Sequence, residues 1–457
     1  MIKKIFFVLI FIFIFSPNAS HANASHASVS DLKIDSSSAI LIEQTTGRVL
    51  FAKNERERRY PAALTKLLSA LVVAENLNFG DEITVGQEIR NMPAGSGANI
   101  HREGEKISVD VLLHSFLIRS SNETGRILAQ NVARATENRY NIPYDQAEKI
   151  FSALLNEKAH ALGARNTQFN NPFGQHFENH FTTASDVAII TKAFMENAAL
   201  AEIVAKQIFE NDDFSWTNTN QMLPHGTHGH PYVVGAKAGF SAAAGHVFAG
   251  AAKNDGLELI CVVMNGTDAA RWQDARRLID YGFFNFAFRE IAKENAPIIS
   301  VQIENPRLGD ENSLEIILGE DHTALLSHAE FSALTHKIFF DALLYVETEN
   351  DEIFLRAPIE NGAAVGTVSF FSGENLIFET AVLSSREVIE RSFDSDMDFY
   401  LSFFFANIFS KRSLPYWFGF FGTVFGILGI ISAVSANRRS ARNAGYTKPR
   451  KSKYNRY

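Results

Sequence analysis

The stretch that most constrains this chain is Tyr60-Pro61-Ala62-Ala63-Leu64-Thr65-Lys66-Leu67-Leu68-Ser69-Ala70-Leu71. Pro61 suits the first turn of a helix, where its missing N–H would have had no partner. From Leu67 to Ala74 nearly every side chain is apolar, which predicts a helix covered on all sides. One charge interrupts it. Lys66 lies a turn beyond Ala63 and so on the same helical face. Such a lysine is either paired with a buried carboxylate or serves a polar site.

A helix buried on every side needs a substantial domain around it. The 457 residues, 46% of them apolar, leave room for two or three domains plus non-globular segments. The ends predict the compartment. Lys3 and Lys4, the apolar run Ile5 to Phe15 and small residues around Ala22, Ala24 and Ala27 read as a secretory signal over residues 1–27. Residues 18–22 and 23–27 repeat Asn-Ala-Ser-His-Ala, to which no function attaches. Near the other end, Tyr416 to Ala436 is free of charge. As a helix it would be about 31 Å long, which predicts a membrane span over 415–436. Eight cations and no acid follow, so the tail 437–457 is expected in the cytoplasm and the bulk outside. Phe399 to Ser410, within a linker over 389–414, is apolar but too short to span, and is expected as a helix on the membrane surface.

The formal charge of −8 conceals a division. With the tail cations, Lys3 and Lys4 set aside, 33 basic residues face 51 acidic ones, so the outer part is near −18. That argues against a nucleic-acid partner. The single cysteine, Cys261, excludes an internal disulfide and sits in the apolar run Leu259 to Met264 as a core filler.

Taken in order, Ile40 to Phe51 predicts a hairpin around a Thr-Gly turn. Asp81 to Ile100 is loop-like, with a turn cluster at Pro93-Ala94-Gly95-Ser96-Gly97. Ser108 caps a helix running to Arg119, and another helix begins around Ser120 to Glu123. Residues 144–205 are mostly helical, broken at Asn170 to Gly174 and restarted at Thr183 to Asp186. Tyr232 to Gly239, Val247 to Ala252 and Leu257 to Met264 read as strands, and Asp268 to Tyr281 as a closing helix. Strands early and late with helices between predict an α+β domain whose sheet joins both ends of the segment. From residue 293 short β-like runs predict a second, all-β module: Ile298–Ile303, Leu314–Leu318, Ile353–Leu355, Ala364–Phe371 and Leu376–Val382.

Three elements stand in order: Ala63-x-x-Lys66, Ser120-x-Asn122 and Lys237-Ala238-Gly239. They resemble the Ser-x-x-Lys, Ser-x-Asn and Lys-Thr-Gly elements of penicillin-recognising serine enzymes. Pro61-Ala62-Ala63-Leu64-Thr65-Lys66, Asn171-Pro172-x-Gly174, Thr183-Ala184-x-Asp186 and Ala357-Pro358-Ile359 to Gly366 extend the match. The chain is similar over about residues 36–388 to the low-molecular-weight penicillin-binding proteins, the serine-type D-alanyl-D-alanine carboxypeptidases of peptidase family S11. The resemblance implies a β-lactamase/transpeptidase-like domain over 28–292, an antiparallel sheet plus a helical lobe, and a small all-β domain over 293–388. It implies a ligand, the D-Ala-D-Ala end of a peptidoglycan stem peptide or muropeptide, and no cofactor or metal. In the family, the lysine matching Lys66 takes the nucleophile's proton. Residues matching Ser120, Asn122 and Lys237 hold substrate and relay protons. The strand matching Lys237, Ala238 and Gly239 grips the peptide, and the N–H groups matching Ala63 and Phe240 form the oxyanion hole.

The chain departs from the pattern twice, with Ala63 at the nucleophile position and Ala238 at the threonine. Losing a catalytic serine typically costs on the order of 10⁶ in kcat, about 8 kcal/mol of barrier. Three expectations follow: a membrane-anchored homologue that binds stem peptides or a cell-wall protein without turnover, a working carboxypeptidase using an unorthodox nucleophile such as Ser120, and a structural spacer at the cell surface. His225-x-x-His228-x-His230 has metal-like spacing but reads more simply as a solvated turn.

Overall fold

The computed structural model describes residues 32–90, 92, 100–347, 352–407 and 414–443. The expected signal segment, the Pro93–Gly97 turn cluster and the tail beyond residue 443 lie outside the described residues. Two compact units emerge: one contains the residues up to Phe288 with Leu325–Ala329, the other Arg289–Ala324 with the residues from Glu330 onward.

In the first unit β1 (Ser38–Glu43) and β2 (Val49–Lys53) form the predicted hairpin, and Gly47 supplies its left-handed residue at φ +72°. Two short ribbons follow, β3 (Glu82–Thr84) with β4 (Lys106–Ser108) and β5 (Ile208–Glu210) with β6 (Ser215–Thr217). Strands β7 (Val233–Ser241), β8 (Gly245–Asn254) and β9 (Leu257–Gly266) complete a five-stranded antiparallel sheet ordered β2-β1-β9-β8-β7. The beginning and end of the unit therefore meet in one pairing, with Leu41 opposite Cys261.

Period-two alternation builds a core on each face of that sheet. Ile40, Ile42, Ile260 and Val262 pack toward α1 (Thr65–Asn76), whose residues from Thr65 to Val73 are all buried. Leu41, Leu259, Cys261 and Val263 pack toward the last helix of the unit, Asp268–Asn285, with its Trp272, Ala275 and Leu278. Burial pushes the Cys261 thiol well above its ordinary pKa, which suits an inert filler.

Two helix boundaries differ from the sequence reading. The segment after Pro61 opens as a 3₁₀ turn, Ala62–Leu64, and the α-helix proper starts at Thr65. The helix capped by Ser108, α2 (Val109–His114), widens into a π-turn over Ser115–Arg119 and stops at Ser120, left-handed at φ +68°. Ser121 then caps α3 (Asn122–Thr136) by accepting the Thr124 N–H at 3.2 Å. The remaining helices are α4 (Tyr144–Leu162), α5 (Ala184–Glu196), α6 (Ala198–Ala205) and α7, the Asp268–Asn285 helix already described. Thr183 and Thr267 cap α5 and α7.

The second unit is built on a seven-stranded sheet. Its order is Leu334–Phe340, Ala364–Ser372, Asn375–Ser384, Ser313–Leu318, Pro297–Glu304, Ile353–Arg356, Tyr345–Glu347. All five predicted β-runs fall on strands, and Leu314, Ile316, Leu355, Val368 and Val382 form its core. Leu334–Phe340 and Tyr345–Glu347 are additional to the sequence reading; His336 and Lys337 interrupt the apolar pattern of the first. Of the apolar segment expected at the membrane surface, residues 399–407 lie in a helix, Phe393–Asn407, and 408–410 lie outside the described residues. The segment expected to span is also helical, Leu414–Asn443, but among the described residues no helix is long and apolar enough to cross a membrane.

Candidate functional site

The site is assembled from a turn, a helix junction and a strand, each distorted at one residue. Ala62 at φ +46°, Ser120 at φ +68° and Ala236 at φ +98° are left-handed without being glycine. Among the described residues the other non-glycine residues with positive φ are all Asn or Asp, which tolerate that region. Backbone strain of this kind, about 1–3 kcal/mol per residue, persists only where the surroundings over-determine it. Here each strained residue is within or next to one of the three sequence motifs.

Packing explains the Ala62 turn. Gly174, itself at φ +86°, lies so close that a Cβ there would sit 1.7 Å from the Ala62 carbonyl oxygen. The loop carrying Gly174 is fixed by Asn171, whose Oδ1 accepts the N–H groups of Phe173, Gly174 and Gln175. Ser69 donates to the Pro172 carbonyl at 2.5 Å. His180 accepts the Asn170 N–H at Nδ1, so its Nε2–H faces Thr65 Oγ1 at 2.9 Å. Burial, with His176 nearby, pushes His180 down to about 3, so it stays neutral and holds that tautomer. From the other side, a Cβ on Gly239 would lie 2.9 Å from the Ala63 nitrogen, so glycine lets β7 close against the turn.

The three motifs meet in one cleft of about 1070 Å³. Its lining includes Ala63, Ser120, Asn122, Ala238, Gly239 and Phe240. Lys66 and Lys237 are fully buried beside it. Lys66 Nζ donates to Asn122 Oδ1 at 2.8 Å and to the Ser120 backbone carbonyl at 2.5 Å, and lies 5.1 Å from the centre of the Phe116 ring. No carboxylate partners it among the described residues, so the reading of Lys66 as half of a buried ion pair does not apply. Burial, reinforced by Lys237, holds its pKa well below the ordinary lysine value. Lys237 Nζ donates to Thr219 Oγ1 at 2.7 Å, and burial with the nearby Arg271 lowers it to about 7. Lys66 engages the Ser120 carbonyl, where the resemblance implied a relay through that residue's hydroxyl.

Several cleft residues carry no signal in the sequence. Thr219 follows no motif, yet it links Lys237 to the α2–α3 junction by donating its N–H to the Ile118 carbonyl at 3.0 Å. Arg271, in the first turn of α7, donates to the Gly239 carbonyl at 3.0 Å and pairs with Asp268 at 2.6 Å. Arg119 and His176 also line the cleft. The histidines with metal-like spacing are used otherwise: His230 pairs with Asp280 at 2.9 Å and His228 stacks on Trp272. Among the described residues no three His, Cys, Asp or Glu side chains are grouped to hold a metal ion.

An antiparallel sheet with a helical lobe on one face, and buried lysines from helix and strand beside one cleft, defines a penicillin-binding-protein fold. Solved structures share it. The D-alanyl-D-alanine carboxypeptidase DacD of Francisella tularensis superposes with a TM-score of 0.58 at 21% identity, over 82% of this chain and 98% of that one. Penicillin-binding protein 5 of Haemophilus influenzae gives 0.55 at 23% identity, over 78% and 98%. The family model for D-alanyl-D-alanine carboxypeptidase, peptidase S11, matches residues 23–268, and that for the C-terminal domain of penicillin-binding protein 5 matches 286–390. The chain therefore belongs to the peptidase S11 family of D-alanyl-D-alanine carboxypeptidases, which acts on the D-Ala-D-Ala stem peptides of peptidoglycan. Curated relatives include the D-alanyl-D-alanine carboxypeptidases DacF of Bacillus subtilis, 26% identical over 389 residues (83% of this chain, 92% of that protein), and DacC of Escherichia coli, 27% identical over 394 residues (84% and 91%).

Proposed function

We propose that this chain is a carboxypeptidase homologue that binds D-Ala-D-Ala stem peptides without cleaving them. One observation carries the reading: Ala63 lines the cleft beside the buried Lys66, and the two hydroxyls on the helix of Lys66 are committed elsewhere. Thr65 Oγ1 is paired with His180, and Ser69 Oγ donates to the Pro172 carbonyl. Lys66, its pKa lowered by burial, has no hydroxyl at position 63 to activate. The binding apparatus, by contrast, does not depend on the missing hydroxyl. An alanine at 63 keeps its backbone N–H for a substrate carbonyl, as does Phe240. Asn122, Lys237 and Gly239 stand where a peptide would be gripped along β7, and Ala238 leaves that grip one hydroxyl short.

A fluorescent penicillin tests this. The unmodified chain is expected to give no covalent band, and Ala63→Ser at least a weak one. A strong band in the unmodified chain that disappears in Ser120→Ala would establish Ser120 as the nucleophile instead. A spacer role predicts that substituting Lys237 leaves ligand-dependent stability and every phenotype untouched. Attachment to a membrane rests on the charge-free run 416–436 and its basic tail. Loss of membrane sedimentation on deleting 414–457 would support it, and unchanged partitioning would remove it.

A further inference from the structure

Resting on that reading, we infer that Arg119 is a specificity-determining residue that selects peptides with a second carboxylate upstream of the D-alanyl-D-alanine end. The cleft has two arginines in its lining, and they are unlike. Arg271 is occupied: it pairs with Asp268, donates to the Gly239 carbonyl and lies over the Trp272 ring. Arg119 is exposed, and its side chain has neither a hydrogen bond nor an ion pair to any described residue. No Asp or Glu is among the described lining residues, although the outer part of the chain is strongly acidic. A cationic cleft in an acidic molecule concentrates anionic ligands.

Arg119 is also unusually well based for an exposed residue. It is the last residue of the π-turn, between Ile118 and the left-handed Ser120. The Ile118 carbonyl accepts from Thr219, through its N–H at 3.0 Å and its hydroxyl at 3.2 Å. The Ser120 carbonyl accepts from Lys66 Nζ. The peptide group before Arg119 and the one after Ser120 are thus pinned by the same network that holds Lys237 and Asn122. Only the side chain is left to move. Such an anchored guanidinium, unpartnered among the described residues, offers a fork of donors to a carboxylate, and charge-assisted pairs of that kind are the stronger hydrogen bonds. Arg119 adjoins Ser120 on the helical side of the cleft, whereas Arg271 is bonded to the β7 carbonyl of Gly239. A peptide whose terminal carboxylate lies along β7 would bring its preceding side chain to the Arg119 side.

The test uses two probes, N-acetyl-L-glutamyl-D-alanyl-D-alanine and N-acetyl-L-glutaminyl-D-alanyl-D-alanine, titrated into the full chain. The glutamyl peptide is expected to bind about five- to tenfold more tightly, a preference that shrinks with added salt. In Arg119→Gln the ratio of the two affinities should fall to about one, and Arg119→Lys should restore part of it. Equal affinities in the unmodified chain, or a preference that survives Arg119→Gln, would overturn the assignment while leaving stem-peptide binding standing. Failure of both peptides to bind would overturn the binding reading and this inference with it.

Discussion

The cleft-bearing unit and the C-terminal β unit treat left-handed backbone differently. In the β unit the described residues with positive φ are Asn295, Asn305, Gly309, Gly362 and Gly373, types that accept that conformation at little cost. At the cleft they include Ala62, Ser120 and Ala236. The β unit's sequence agrees with its backbone; the cleft's does not, and packing must impose the conformation there. The difference teaches that the cleft remains shaped around Ala63 even though, on our reading, no covalent step takes place. A binding role explains why such geometry would persist.

The largest expected effect breaks this contrast at Gly174. Gly174→Ala should destabilise the protein by at least about 3 kcal/mol, because the new Cβ meets the Ala62 carbonyl and φ is +86°. Gly362→Ala, at φ +74° with nothing within 4 Å, should cost only about 1–2 kcal/mol. Two melting curves decide it, and similar losses would show that the cleft turn is not over-determined.

Next comes the buried charge. Lys237 is lowered to about 7 in the folded protein, whereas the unfolded chain holds its proton to about 10.4. Between those values the unfolded state binds more protons, so the cleft unit should gain stability as pH rises from about 7 to about 10. The gain is at most about 1.4 kcal/mol per pH unit. Lys237→Met should flatten the slope, leaving the share due to Lys66. Parallel pH profiles for the two proteins would mean that Lys237 is not a reluctantly protonated amine.

The smallest effect sharpens the comparison. Ala62→Gly relieves strain but adds freedom to the unfolded chain, so stability should change by no more than about 1 kcal/mol. Stem-peptide affinity should nevertheless weaken, because the turn presenting the Ala63 N–H loosens. Titration of the variant would show this, and an unchanged affinity would mean the strain is incidental.

Much of this architecture was legible in the residues. The hairpin at Thr46-Gly47, the caps at Ser108 and Thr183 and the strands β7 to β9 follow from turn chemistry and alternation. The union of early and late strands in one sheet follows from their order. The ordered motifs placed Ala63, Ser120, Asn122, Ala238, Gly239 and Phe240 around one cleft, as found. What was not legible depends on distant partners. Nothing local marks Ala62 as left-handed, since Gly174 lies 112 positions away and imposes it through contact. Thr219 and Arg271 are ordinary residues until the sheet brings Lys237 and Gly239 to them.

The central claim is tested most directly by titrating the unmodified protein with N-acetyl-L-glutamyl-D-alanyl-D-alanine while assaying the same sample for free D-alanine. The account predicts saturable binding, with about 2.7 kcal/mol of stabilisation at a hundredfold excess over Kd, and recovery of the intact peptide. Release of D-alanine at an ordinary enzymatic rate of about 1 s⁻¹ or more would contradict it.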